Sequence, residues 1–203
     1  MTKRKPIQDL ELEINKAKVK AIHPVNREAW RNWLEENHKS EDSIWLVYTK
    51  KHSASFNLTW EDAVEEALCF GWIDSIRRTL NNDQFVQYFS QRRAGSTWSA
   101  INKKKVIELE KKKLMHASGK ASIKMAKEDG SWTYLDDVEA LILPDDLKIV
   151  LHSDSALKKA YEQLAPSKKK FMLYSLKSAV RPETRAKRLD GIIEELRKLK
   201  DKR

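Results

Sequence analysis

The chain has 203 residues, 40% of them hydrophobic and 34% charged, with 40 Lys plus Arg against 30 Asp plus Glu for a formal net charge of +10. That length supports one large or two small cooperative domains, and the composition fits a globular chain better than a disordered one. No apolar run approaches the roughly 20 residues that span a bilayer, and one cysteine, Cys69, excludes an internal disulfide and a cysteine-rich zinc site.

The basic start MTKRK is followed by Gln8, Asp9, Glu11 and Glu13 rather than an apolar core. A secretory signal is therefore not expected, nor membrane insertion, and the expected location is cytoplasmic. The positive balance is concentrated in lysine runs at Lys103 to Lys105, Lys111 to Lys113 and Lys168 to Lys170 and in the C-terminal tail. Such runs are either solvated helix faces or a weak, non-specific surface for polyanions; without a recognition motif they imply no specific nucleic-acid partner.

In chain order, residues 1–23 read as a charged lead-in with mobile first residues, although Leu10, Leu12 and Ile14 alternate as in a short edge strand. Asn26 is an N-cap for an amphipathic helix whose apolar positions are Ala29, Trp30, Trp33 and Leu34, with Asn37 as its stop. Ser43 to Lys51 is a dense aromatic and β-branched run, expected as a central strand. Thr59 caps a second helix with the stripe Trp60, Ala63, Val64, Ala67 and Leu68, and Gly71 stops it. The following segment, Gly71 to Asp74, reads as a turn. Phe85 to Ser90 reads as another strand, and Ser96 as the cap of a long helix from Thr97 towards Lys113.

Beyond Gly119 the pattern is helical: Ala121 to Glu128 closed by Gly130, a helix after Pro144, and others over Ser153 to Leu164, Ser167 to Ser178 and Pro182 to Lys200. The fold class is therefore α+β, with a small sheet packed against helices in the N-terminal half and a mostly helical C-terminal half. The expected organisation is a lead-in at 1–23, an α+β domain carrying the candidate site at 24–118, and a helical region at 119–203 packed on it. The sequence leaves the oligomeric state open.

The segments WLVYTKK, EDAVEEALCFGWIDS, FSQRRAGSTWSAINKKKV and RPETRAKRLDGIIEEL, taken together, resemble the bacteriocin-protection family, the YdeI/OmpD-associated proteins, over roughly Arg27 to Leu199. The resemblance implies a bacterial protein linked to tolerance of bacteriocins or antimicrobial peptides, without an assigned reaction. Where family members often carry proline in the arginine segment, this chain has Arg93-Ala94-Gly95.

Four of the seven tryptophans lie in or beside Leu46 to Asn102, interleaved with cations, as in an aromatic-walled site. The candidate ligand-binding residues are Lys50, Lys51, Trp72, Asp74, Arg92, Arg93, Ser96, Trp98 and Asn102. Arg92, Arg93 and Ser96 lie just ahead of an expected helix N-terminus, where unpaired amides and the dipole favour an anion, and arginine adds bidentate donors. The same residues fit a plain cap with solvated arginines, and Trp98 fits the core. Asp74, expected near a helix C-terminus, calls for a neighbouring cation, as a pocket carboxylate or as a structural salt bridge.

The expected function is that of a binding or stress-protection protein with a pocket for a small anionic or peptide-like ligand; the alternatives are a metal-independent enzyme with Asp74 as base and Arg92 or Arg93 as electrostatic stabiliser, and weak, non-specific polyanion binding. Cys69 adjoins its helix's apolar stripe and reads as a buried structural thiol. HExxH, CxxC and glycine-rich phosphate loops are absent from the sequence, so no metal or nucleotide cofactor is implied.

Overall fold

The computed structural model describes residues 7–201, the side chains of the last two excepted, and the expected mobility of the first few residues falls outside this range. The chain forms two compact units, Met1–Trp132 and Thr133–Arg203. The fold is α+β.

The first unit is built on a five-stranded sheet of order β1-β2-β3-β5-β4. β1 (Ile7–Ile14) and β2 (Ala17–Pro24) form an antiparallel hairpin. Its two-residue turn, Asn15 and Lys16, has φ of 53° and 65°, the left-handed pair that matches the twist of a hairpin. β1 is the edge strand suggested by Leu10, Leu12 and Ile14. β2 went unread in the sequence because its alternating lysines and alanine resemble solvated lead-in.

α1 (Arg27–Asn37) crosses from β2 to the parallel strand β3 (Ser43–Thr49). Asn26 caps α1 by accepting from the Ala29 amide at 2.9 Å, as its position predicts. α2 (Trp60–Cys69) begins with a capping box between Thr59 and Asp62 and ends at Gly71, whose φ of +80° suits glycine. β4 (Trp72–Thr79) then runs at the far edge, antiparallel to β5 (Gln84–Gln91), which fills the place beside β3. The expected turn at Gly71 to Asp74 is therefore a turn only at Gly71. Trp72 already pairs with Gln91, and a register shift between Asp74 and Arg77, with the exposed run Ser75 to Thr79, hid the strand's alternation.

α3 (Ala100–Lys111) starts three residues later than expected: Ser99, not Ser96, accepts from the Asn102 amide. α4 (Ala117–Glu128) starts four residues earlier than expected, capped by His116, and includes Gly119. A Cβ on Gly119 would lie 2.2 Å from the Cys69 carbonyl oxygen, so glycine permits α4 to press on the end of α2. Helices and sheet enclose a core of Trp30, Leu34, Leu46, Leu68, Trp72, Phe89 and Trp98.

The second unit consists of α5 (Asp136–Glu139), α6 (Asp145–Ser153), α7 (Ser155–Glu162), α8 (Pro166–Lys177) and α9 (Pro182–Asp201). Four of these match the sequence reading; the short α5 does not appear in it. Leu147, Leu157, Leu173, Leu176 and Leu196 form their core. Arg185, in the late RPETRAKRLDGIIEEL segment, clamps α6 to α9 through two bonds to the Asp146 carboxylate at 2.7 and 2.9 Å, and donates to the Leu176 carbonyl. That motif is a structural tie within this unit. Among the described residues no helix is long and apolar enough to cross a membrane.

Candidate ligand-binding cleft

The residues singled out in the sequence divide among three places. Lys50 donates to the Asn82 carbonyl at 2.7 Å, and Lys51 is exposed in the next turn. Both stand at the Thr49–Gln84 end of the β3–β5 ladder, whereas Arg92 follows the Ser43–Ser90 end. Six residue steps separate these ends, about 20 Å at about 3.3 Å per residue. The lysines therefore do not approach the arginines.

Asp74 projects from β4, and one carboxylate oxygen accepts from Trp60 Nε1 at 3.0 Å and Gln87 Nε2 at 3.1 Å. It has no ion-pair partner within bonding distance among the described residues; two neutral donors hold it, and the cation expected beside it acts from a distance, since the Asp74 charge is felt at Arg92. Trp72 is fully buried, its indole N–H donating to the His38 carbonyl at 3.3 Å. Asn102 sits in the first turn of α3 as the donor to the Ser99 cap.

Arg92, Ser96 and Trp98 do meet. The Arg92 guanidinium lies 3.6 Å from the Trp98 ring centroid, and its Nη1 donates to the Thr97 carbonyl at 3.1 Å and to Ser96 Oγ at 3.4 Å. Arg93, its neighbour, is exposed. Ser96 thus orients an arginine instead of capping a helix. Burial pushes the Arg92 pKa down to about 10, with the Asp74 charge partly opposing the shift. The residue is 7% exposed, and its Nε and Nη2 have neither a partner nor access to solvent.

Arg92 lines a cleft of about 330 Å³ together with His38, Phe70, Gly71, Gln91, Ser118, Ser122 and Met125. Each wall has a local cause. His38 is the C-cap of α1, held where Gln91 and Trp72 both donate to its carbonyl. Phe70 and Gly71 end α2; a Cβ on Gly71 would come within 3.1 Å of the Ser118 carbonyl and of Ser122 Cβ. Ser118 and Ser122 are one turn apart on α4, which Gly119 seats against α2.

Two more polar groups in this cleft lack partners. His38, 7% exposed, commits Nδ1 to the Leu34 carbonyl at 2.9 Å and leaves Nε2 bare; Ser122, 9% exposed, leaves Oγ bare. A carbonyl only accepts, so Nδ1 carries hydrogen and the neutral ring presents Nε2 as an acceptor. Buried polar atoms are normally paired, and an orphan costs about 1–3 kcal/mol, more when charged. Three side chains that line one cleft thus carry orphaned polar atoms, and because those atoms are closed to solvent a ligand reaches them only as the cleft wall opens. His38 and Ser122 carry no sequence signal: one reads as a helix end, the other as a small residue on an alanine-rich helix.

Cys69 is buried, and burial first, then the Glu66 charge, pushes its thiol up to about 11. A thiolate nucleophile is not prepared here. Among the described residues no group of three or more His, Cys, Asp or Glu is arranged to hold a metal ion.

No curated protein and no solved structure matches the chain. Residues 22–122, which contain three of the four family-like segments and the whole cleft except Ser122's neighbour Met125, match a model described as a domain of unknown function (DUF8412). Residues 140–198 match the model described as bacteriocin-protection, YdeI or OmpD-associated. Through residues 140–198 the chain is similar to the bacteriocin-protection, YdeI or OmpD-associated family, the family its sequence resembles.

Proposed function

We propose that this protein binds a small anionic molecule in the cleft between α1, α2 and α4, with Arg92 as the anion anchor. The observation that carries the reading is which edge of the guanidinium is free. Nε and Nη2 present parallel N–H groups that match two oxygens of one carboxylate or phosphate, and this is the edge left without partners. A volume of about 330 Å³ favours a small molecule over a peptide, standing at the low end of the roughly 300–1,000 Å³ of ligand clefts. The enzyme alternative with Asp74 as base is less favoured, since one oxygen of that carboxylate already accepts from Trp60 and Gln87 and Asp74 does not line the cleft. The buried free thiol of Cys69 supports a cytoplasmic setting.

The test is thermal unfolding of the full chain in phosphate, sulfate or acetate against chloride at equal ionic strength. A saturable rise in Tm is expected for the parent and for Arg93→Met, and none for Arg92→Met; binding at 100 Kd corresponds to about 2.7 kcal/mol. Equal responses from parent and Arg92→Met would reduce the effect to general solvation and remove the anion site.

A further inference from the structure

The anion site explains one orphan and leaves two. Resting on the reading just given, we infer that the ligand is a small hydroxy-carboxylate, held by its carboxylate on Arg92 and by its hydroxyl on His38. The donor and acceptor inventory of the cleft decides this. Arg92 Nε and Nη2 supply hydrogen and require an acceptor. His38 Nε2, with Nδ1 committed to the Leu34 carbonyl, requires the opposite, a donor. Ser122 Oγ serves as either. A simple carboxylate satisfies the arginine and leaves the imidazole orphaned. Sulfate adds further acceptors and has no proton to give His38; phosphate keeps an O–H at neutral pH, so phosphate binding more tightly than lactate would overturn the carboxylate assignment.

The donor that reaches His38 is a hydroxyl and not an ammonium. The residues lining the cleft include Arg92 and the rim residue Lys39 but no carboxylate, so a second positive charge brought in by an amino acid would meet repulsion from both, with the Asp74 charge outside the lining to oppose it. A hydroxyl carries the same hydrogen without the charge. It can also exchange a bond with Ser122, while Phe70 and Met125 leave room for a short carbon chain between the two polar ends.

Three probes that differ at one carbon test this on the unmodified protein: propionate, lactate and alanine, titrated calorimetrically at neutral pH. Lactate should bind about tenfold more tightly than propionate, the factor that one well-formed hydrogen bond of about 1.4 kcal/mol supplies, and alanine should bind more weakly than lactate. His38→Phe should remove the preference, so that lactate and propionate bind that variant equally. Propionate and lactate binding equally, with both lost in Arg92→Met, would overturn the hydroxyl assignment and keep the anion site. Failure of all three to bind, while phosphate or sulfate still raises the Tm of the parent and not of Arg92→Met, would overturn the hydroxy-carboxylate and keep the anion site; failure of every anion would overturn both. The matched acids need no variant, so the outcome stands even where His38→Phe does not fold.

Discussion

Arg92 and Trp98 form a stacked pair, guanidinium over indole at 3.6 Å, in which both partners are buried. Stacking stabilises the cation but supplies no hydrogen-bond acceptor, so the arginine keeps two unpaired nitrogens in a dry setting. Below a pH of about 10 the folded chain carries this charge at a cost, because burial lowers the pKa from its ordinary value. Unfolded protein binds the proton more tightly, so this group's contribution to stability rises with pH between those values.

Arg92→Met, which keeps an unbranched apolar stem on Trp98 and removes the charge, should therefore leave the ligand-free protein as stable as the parent or more so. Trp98→Ala should cost about 3–5 kcal/mol, the range for emptying a core aromatic site. Denaturant unfolding checks both. A large loss in Arg92→Met would mean that the guanidinium's bonds to Thr97 and Ser96 outweigh the buried charge.

The sequence declared its helices through caps and stripes, as at Asn26 and Thr59, because those signals lie within four residues of each other. It declared β3 through apolar density. It hid β2 and β4, whose alternation is filled with lysine, serine and arginine, since an edge or hairpin strand needs little burial on its outer face. The candidate site was half legible. Arg92, Ser96 and Trp98 are close in the chain and meet in space, but His38, Ser118 and Ser122 reach them only through the packing of α1 and α4, which no local pattern encodes. Lys50 and Lys51 were joined to the arginines by motif, while the β3–β5 register sends them to the opposite end of the sheet.

The charged ties of the first unit should fail in acid. Arg27 bonds Asp62, Glu65 and Glu66, and Arg31 also bonds Glu66. Burial alone would raise the Asp62 and Glu65 pKa values, but hydrogen bonds from Thr59 and Arg27 to the first, and from Lys105 and Arg27 to the second, bring both below their ordinary 3.8 and 4.5. Depressed carboxylates contribute stability that is complete above the ordinary values and is lost as pH falls through the folded ones. Glu66→Ala should destabilise by roughly 3 kcal/mol or more at neutral pH, because it strips a buried carboxylate from two arginines. Chemical unfolding at pH 7 and pH 3 separates the two effects.

Cys69 should resist thiol reagents in the native protein at pH 8, because its thiol is buried and its pKa stands near 11. The folded state holds that proton more tightly than the unfolded one. This group's contribution is therefore present below the ordinary 9.0 and is lost as pH rises towards 11. Cys69→Ser should lower stability by about 1–3 kcal/mol by setting a hydroxyl among apolar neighbours, with anion binding unchanged. Rapid labelling at pH 8 with an unaltered melting temperature would contradict the burial.

Two glycines in helices provide a contrast that isolates close packing from backbone freedom. Gly119 in α4 faces the Cys69 carbonyl, where an added Cβ would sit at 2.2 Å, while a Cβ on Gly191 in α9 meets nothing within 4 Å. Helix propensity favours alanine over glycine by about 0.8–1.0 kcal/mol at either place. Gly191→Ala should realise that gain. Gly119→Ala should reverse it, because the neighbour is backbone and α4 must move away, at a cost of about 1–3 kcal/mol for overpacking. Movement of α4 also withdraws Ser118 and Ser122 from the cleft, so the anion-dependent rise in Tm should shrink in Gly119→Ala and persist in Gly191→Ala. A Gly119→Ala variant as stable as the parent, with its anion response intact, would show that the contact between α2 and α4 does not set the geometry of the site.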